Sequence, residues 1–159
     1  KVYFWRKQDA GYTFYTNIIG YDEDIRTYYL KHSNKLIRKQ KRKYKRIPLN
    51  IPGHFYYLNT KQKKDKKVYS IDHSSIKECD IINLSAGGAK ISSNEFSPSK
   101  KYVKVVFSIN NNEIGVFGKI IRIIKNNLTY EITIEFVKLS QEYKNLINEY
   151  VYNYKRIYK

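Results

Sequence analysis

Residues from about 50 onward alternate between apolar and polar side chains with the period of two that β-strands show. Segments rich in Val, Ile, Phe and Tyr predict strands at residues 51–58, 78–84, 89–92, 102–109, 113–124 and 128–139. Asn, Gly, Lys and Ser separate these segments, and the stretches 110–112 and 125–127 predict two hairpin turns. The pattern therefore predicts a mainly β fold.

The end of the chain changes to helical spacing. Ser140 stands where a helix N-cap belongs. Apolar residues then recur every three or four positions, at Leu146, Ile147, Tyr150, Val151, Tyr154 and Ile157. About six antiparallel strands in so short a chain favour a small closed barrel, because closure leaves no exposed sheet edge. We expect the helix to pack its apolar face against this barrel.

The first 34 residues have their own pattern, with aromatic and polar residues alternating at 2–7, 12–19 and 26–32. It predicts two or three half-buried strands with breaks near Gly11 and Gly20. A segment shorter than about 40 residues rarely folds alone, so we expect it to pack on the remainder or to belong to a truncated neighbour. Because the chain begins with Lys1 rather than Met, we expect it to be part of a longer protein. The predicted organisation is a partial β unit at 1–36, a basic linker at 37–47, and the barrel with its helix at 48–159.

The net charge of +17 favours anionic partners such as nucleotides, nucleic acid or acidic lipid surfaces. No Asp or Glu occurs between Ile25 and Lys64, and basic residues are densest at 31–46. On charge alone, such a block is most simply an exposed, solvated linker, because like charges repel each other.

The apolar runs are short and the mean hydropathy is −0.66, whereas a membrane-spanning helix needs about 20 apolar residues. We therefore expect a cytoplasmic protein without membrane insertion. The single cysteine, Cys79, excludes an internal disulfide, and we expect its thiol to be buried as a small apolar group.

Two short motifs carry candidate binding chemistry. The first is an Arg-x-x-x-Arg segment, from Arg42 to Arg46, directly before the barrel strands. In an extended chain the two arginines would lie about 13 Å apart on one side, a span that suits a dinucleotide. A guanidinium donates paired hydrogen bonds to phosphate oxygens or to the O6/N7 edge of guanine, and its flat face stacks on a base.

The second motif is Asn83-x-Ser85-x-x-Gly88, at the end of a predicted strand. Asn83 and Ser85 are two positions apart, so they would present amide and hydroxyl groups on one side. Gly87 and Gly88 would permit positive φ and the close approach of a ligand to backbone N–H groups, which can form an anion-binding nest. Each motif alone also has a simpler explanation, namely a chance spacing in a basic stretch and an ordinary turn with a local hydrogen bond.

The Arg-x-x-x-Arg segment comes first, a strand that contains Pro48 follows it, and the Asn83-x-Ser85-x-x-Gly88 motif comes later at a strand end. This arrangement resembles the two-part signature of PilZ domains. The segments 118–122 and 130–139 and the helix after Ser140 are similar to the later strands and the C-terminal helix of that family. The resemblance covers residues from about 40 to 159. It implies a six-stranded antiparallel PilZ-type β-barrel with a C-terminal α-helix.

The resemblance implies a receptor for cyclic di-GMP, with no metal or other cofactor and no enzymatic activity. Carried over to this sequence, the implied ligand-binding residues are Arg42, Arg46, Asn83, Ser85, Gly88, Lys41 and Arg122. The arginine pair would grip guanine and phosphates, while the polar loop would hold a guanine edge. Arg122 stands where the family sometimes has a base-stacking side chain, and Lys41 would add charge.

The front segment, residues 3–20, together with the basic stretch at 36–46, resembles the end of the N-terminal domain of flagellar-brake-type PilZ proteins. A dianionic ligand would neutralise the self-repelling basic residues at 31–46 and clamp the front unit against the barrel, which would expose a surface for a protein partner. The likeness implies that this partner, such as a flagellar motor component, acts in motility or surface behaviour. The alternative is a pair of tyrosine-rich strands that only pack on the barrel.

Two other functions are compatible with the sequence. A nucleic-acid-binding β-barrel would use the basic segment as a groove and tyrosines as stacking platforms, but we expect most of the 17 tyrosines to pack internally and predict no nucleic-acid partner. A PilZ domain that docks only onto a protein is another. An enzyme is not expected, because the motifs lack flanking carboxylates or histidines, and His32, His54 and His73 are scattered.

Overall fold

The chain folds into two compact units, Lys1–Lys43 and Tyr44–Lys159. A computed structural model describes residues 1–6, 10–40, 42–63 and 66–157, without the side chains of residues 62, 63, 66, 67, 155 and 157. The boundary between the units falls inside the predicted basic linker at 37–47.

The first unit consists of five short strands in two small antiparallel sheets. One sheet has the order β1 (Val2–Trp5), β2 (Gly11–Phe14), β5 (Ile37–Lys39). The other pairs β3 (Ile18–Asp22) with β4 (Thr27–Leu30). The stretch 12–19, expected as one strand, is thus divided between β2 and β3. The start of the predicted linker is also a strand, because Ile37–Lys39 pair with β2.

Few of the side chains that the structure describes in the first unit are buried. Ala10 and Thr13 are inaccessible to solvent, at 0% and 4% exposure. Five tyrosines are between 44% and 65% exposed, namely Tyr3, Tyr15, Tyr21, Tyr28 and Tyr29. The expectation that tyrosines pack internally is therefore wrong for this unit, because two sheets of two and three short strands leave most of their faces open to water.

The second unit is a closed barrel of six antiparallel strands, as predicted. Its strands follow one another around the barrel in the order β6 (Ile47–Lys63), β8 (Lys77–Ser85), β9 (Gly88–Ser93), β12 (Tyr130–Phe136), β11 (Asn112–Lys125), β10 (Tyr102–Ile109). The barrel closes because β10 pairs with β6. β7 (Lys66–Ile71) pairs with the far end of β6 and was not predicted. Closure leaves the six ladders without a free edge along their paired length.

β6 begins at Ile47, four residues before the predicted strand start at residue 51, and it contains Pro48 and Pro52. A register shift follows Pro48 in the β6–β8 ladder, which marks a β-bulge. Moreover, β10 pairs with β6 only at residues 53–57, so both prolines lie where β6 has a partner on one side only. A proline is tolerated at bulges and edge-like positions because no ladder hydrogen bond from its nitrogen is needed there.

The two predicted hairpin turns are present. Asn110 and Asn111 have φ values of 49° and 64° and join β10 to β11, as a tight two-residue turn requires. At the second turn, the Asn126 N–H donates to the Thr129 carbonyl at 2.8 Å. The last strand begins at Tyr130 and not at residue 128 as expected. Leu128 lies in the turn before it and is 86% exposed.

The helix α1 (Gln141–Ile157) closes one side of the core. The Tyr143 N–H donates to Ser140 Oγ at 3.2 Å, which confirms the predicted N-cap. Ile147 and Val151 are buried in the same cluster as the inward-facing strand residues. Within the part of the chain that the structure describes, no helix has the length and hydrophobicity to cross a membrane.

Cys79 lies in the barrel core at 7% exposure, as predicted. Burial raises the pKa of its thiol to about 12, and the neighbouring Asp80 carboxylate adds to the increase. The thiol is therefore a neutral, apolar part of the core.

Candidate functional site

The start of β6 lies beside the end of β8, and this pairing brings the two motifs together. Ile47 and Leu84 are Cα partners in the ladder, as are Pro48 and Asn83. Arg46 directly precedes Ile47 and has an exposed side chain. The barrel thus brings Arg46 next to the strand end that carries Asn83, although the two residues are far apart in sequence.

The turn between β8 and β9 is closed by the second motif. Ser85 and Gly88 are partners in the ladder, with Ala86 and Gly87 between them. Ser85 is 3% exposed, and its hydroxyl donates to the Gly88 carbonyl at 3.1 Å. Ser85 therefore holds the shape of the turn, while the half-buried Asn83 lies on the strand that leads into it.

Both positions of the turn require glycine because a side chain would collide with neighbouring atoms, and not because the backbone has a positive φ. The expectation of positive φ is wrong, because neither Gly87 nor Gly88 has it. A Cβ at Gly88 would overlap the carbonyl oxygen of Ile134 on the neighbouring strand. A Cβ at Gly87 would lie 2.7 Å from Cδ2 of Tyr44, closer than van der Waals contact permits.

Tyr44 fixes the segment before β6 against this turn. Its half-buried ring packs on the barrel core and covers Gly87. The Lys144 ammonium lies 6.0 Å from the ring centroid, within range of a cation–π contact. Tyr44 was not among the predicted site residues. The available signal was a lone aromatic side chain in the middle of the Arg-x-x-x-Arg segment.

Asn83 begins a row of polar residues across the outer face of the barrel. Asn83 pairs with Lys90 on β9, Lys90 with Thr133 on β12, and Thr133 with Arg122 on β11. Directly opposite residues in antiparallel strands point to the same face, and all four are exposed or half-buried. The predicted residues Asn83 and Arg122 therefore share one surface, and Lys90 is a member that sequence analysis missed.

Three strands of the barrel have a register shift at this row. The shifts lie between Pro48 and Ile51, between Ile81 and Asn83, and between Ile120 and Arg122. A β-bulge increases local twist and re-aims side chains, and bulges are common beside functional sites. The row is therefore a locally distorted part of an otherwise regular barrel.

Lys90 is paired with an acidic residue of β12. Its Nζ lies 2.8 Å from Glu131 Oε2, and the Asn126 side-chain amide donates to Glu131 Oε1 at 3.4 Å. The hydrogen bond from Lys90 and its charge lower the pKa of Glu131, with smaller contributions from Asn126 and Arg122. Glu131 is thus ionised next to the two cations of the row.

Arg42 and Lys41 complete the predicted residues. Arg42 belongs to the first unit, where its Cζ lies 5.2 Å from the Trp5 ring centroid in a cation–π contact. The backbone bends at Lys43 and Tyr44, so the extended spacing of about 13 Å expected for the arginines does not apply. Lys41 lies outside the residues that the structure describes.

Two other features of the structure bear on where a ligand could bind. Among the described residues, no cluster of three or more His, Cys, Asp or Glu side chains could hold a metal ion. A groove of about 630 Å³ runs beside Glu78 and Asp80, and no predicted site residue lines it. Its two carboxylates disfavour an anionic ligand, so the polar row is the better candidate.

The PilZ domain family model matches residues 40–153, which include both motifs, the barrel and most of α1. The chain belongs to the PilZ domain family. No curated protein matches the sequence at a significant level. The family match nevertheless confirms the resemblance that the two motifs and the strand pattern had indicated.

Three solved structures share the fold of this PilZ chain. The Bacillus subtilis inhibitor of motility MotI/DgrA has a TM-score of 0.68 at 15% identity, with 98% of this chain and 72% of that chain covered. The K. pneumonia MrkH–c-di-GMP complex has a TM-score of 0.58 at 14% identity, with 96% and 68% covered. Escherichia coli YcgR in complex with c-di-GMP has a TM-score of 0.53 at 16% identity, with 96% and 64% covered. The PilZ chain therefore spans less than two thirds of the length of YcgR.

Proposed function

We propose that this PilZ chain is a receptor for cyclic di-GMP. The observation that carries the proposal is the pairing of the start of β6 with the end of β8, which sets Arg46 beside Asn83 and the Ser85–Gly88 turn. Two proteins of the same fold, YcgR and MrkH, have structures in complex with c-di-GMP. The membership of the chain in the PilZ family supports the same ligand.

Each residue has a role that follows from its chemistry and position. The ligand has two anionic phosphodiesters and two guanines, so it needs cations and guanine-reading groups on one surface. The Arg46 guanidinium donates to a phosphate or to the O6/N7 edge of guanine. The Asn83 amide hydrogen-bonds a guanine edge, and Ser85 with Gly88 keeps the turn in shape. Arg122 lies on the same outer face and stacks on the second base.

The same geometry favours binding over catalysis. Ser85 is buried and gives its hydroxyl hydrogen to a carbonyl oxygen, so it has no base partner that would activate it as a nucleophile. Asn83 cannot act as an acid or a base at neutral pH. Neither Asn83 nor Ser85 therefore supplies the general base or the nucleophile that phosphodiester cleavage needs.

We further propose that the ligand links the two units. Arg42 lies in the first unit and Arg46 in the second, and the basic residues at 31–46 repel each other in the free protein. A dianionic ligand bound by both arginines neutralises part of this charge and orders the segment. The same proposal places the domain boundaries at residues 36 and 47 and the protein in the cytoplasm. It also includes a motility-related protein partner that responds to the change.

Calorimetric titration separates this function from its main alternative. Cyclic di-GMP should bind with a defined stoichiometry, while GMP and GTP bind much more weakly because each offers one guanine. A short single-stranded oligonucleotide tests the nucleic-acid alternative, whose affinity would fall steeply with salt. Oligonucleotide binding without cyclic di-GMP binding would overturn the proposal.

A further inference from the structure

Lys90 occupies a position from which it can reach a ligand held by Asn83. The two residues are Cα partners in the β8–β9 ladder, so their side chains stand side by side on the outer face. The side chain of Lys90 is 37% exposed. Neither motif includes Lys90, yet it lies closer to Asn83 in the ladder than Arg122 does, since Arg122 is two strands further away.

The charge of Lys90 is paired with the carboxylate of Glu131. Lys90 pairs with Thr133 across the β9–β12 ladder, and Glu131 is the diagonal neighbour two residues before Thr133. The Nζ to Oε2 distance of 2.8 Å is that of a charge-assisted hydrogen bond. Glu131 is 28% exposed, so water still reaches the pair and keeps its net strength small.

Glu131 has other partners if Lys90 turns away from it. The Asn126 amide donates to its second carboxylate oxygen at 3.4 Å, and the Arg122 charge acts on it as well. When Lys90 leaves Glu131, the carboxylate therefore stays solvated and partly hydrogen-bonded instead of buried and unpaired. The free-energy cost of transferring Lys90 from Glu131 to a ligand phosphate is therefore small.

We infer that Lys90 is a further phosphate-contacting residue of the cyclic di-GMP site and that Glu131 is a counter-ion which the ligand must displace from it. The inference rests on the proposed function. Glu131 thereby sets the affinity from outside the two motifs, since its carboxylate competes with the ligand phosphate for the same ammonium group.

The test is a double-mutant cycle measured by calorimetry with cyclic di-GMP. Glu131→Gln removes the competing charge and should raise the affinity about two- to fivefold, the range expected for an exposed pair. Lys90→Gln should lower the affinity by a similar factor. In the Lys90→Gln background, Glu131→Gln should change the affinity by less than about twofold, because no ammonium group remains to be released.

Glu113→Gln is the matched control, because it makes the same charge change on an exposed residue. Glu113 lies at the start of β11, whereas Arg122 of the polar row lies near the end of that strand. It should leave the affinity within about twofold of the parent chain. An equal gain in Glu113→Gln and Glu131→Gln, or a weaker affinity in Glu131→Gln, would overturn the counter-ion role. Thermal unfolding of every variant checks that the barrel is intact.

The same titrations distinguish the two levels of the proposal. If the parent chain binds cyclic di-GMP and the cycle shows no coupling between Lys90 and Glu131, this inference is wrong while the receptor function stands. If the parent chain does not bind cyclic di-GMP, the receptor function is wrong, and this inference with it.

Discussion

Pro48 lies directly opposite Asn83 in the ladder between β6 and β8. This pairing explains why a basic segment and a polar turn that are remote in sequence form one surface. Arg46 stands two residues before Pro48, and the turn begins two residues after Asn83, because antiparallel strands carry the chain in opposite directions. The candidate site is therefore a product of the barrel register and not of either motif alone.

Substitution of Arg46 by Ala should weaken cyclic di-GMP binding about ten- to a hundredfold, because a charge-assisted hydrogen bond contributes about 1.5–3 kcal/mol. Lys45→Ala is the matched control, since it removes an adjacent exposed cation. Its effect should stay below about threefold, as expected for a screened surface charge. Calorimetry measures both, and equal losses in the two variants would remove Arg46 from the site.

Hydrogen exchange tests the proposed ordering of the basic segment. Saturating cyclic di-GMP should slow amide exchange in peptides that cover residues 35–46, because the ligand neutralises part of the charge repulsion within this segment. Peptides from α1 serve as the internal reference and should change little. The same protection with and without ligand would argue against the link between the units.

Gly88 should be far less tolerant of a methyl group than Gly115. The added Cβ at Gly88 meets the Ile134 backbone, which cannot move without disturbing the β9–β12 ladder. At Gly115 it meets Lys104 Cε at 3.1 Å, the end of a flexible side chain. Gly88→Ala should therefore lower the free energy of unfolding by about 1–3 kcal/mol, and Gly115→Ala by less. Urea unfolding measures the free energy of unfolding of both variants, and equal values for the two would contradict the packing argument.

Cys79 should resist thiol reagents in the folded protein. The thiolate is the reactive species, and burial raises the thiol pKa to about 12, so little thiolate forms at pH 8. A disulfide reagent such as dithiobis(nitrobenzoate) should label the native chain slowly and the guanidinium-unfolded chain within seconds. Rapid labelling of the native chain would show that the core around Cys79 opens readily.

The strands and the helix of the barrel were predictable because their signals are local. Alternation predicted the strand that carries the buried residues Ile132 and Ile134, the asparagines at 110–112 predicted a turn, and Ser140 predicted the helix start. The early start of β6 was not predictable. Pro48 suits a strand only because β10 does not pair with that part of β6, which leaves one side of the strand without a partner and is a property of the whole barrel.

The site was predictable only in part, for the same reason. Sequence motifs identified Arg46 and Asn83, but the role of the turn glycines was misjudged, because contacts with Tyr44 and Ile134 come from remote segments. Lys90 was missed because its place beside Asn83 depends on the register shift in β8. In the first unit, the alternation predicted strands but not how little of their surface would be buried.

Amide chemical shifts measured by NMR during a titration with cyclic di-GMP test the central claim most directly. The account predicts that the largest changes occur at Arg46 and at residues 83–88, with smaller changes along β9 and β11 at Lys90 and Arg122. GMP at the same concentration should cause much smaller changes at these positions. Saturable binding that leaves the amides of Arg46 and the β8–β9 turn unshifted would contradict the claim that these two strand ends together hold the ligand.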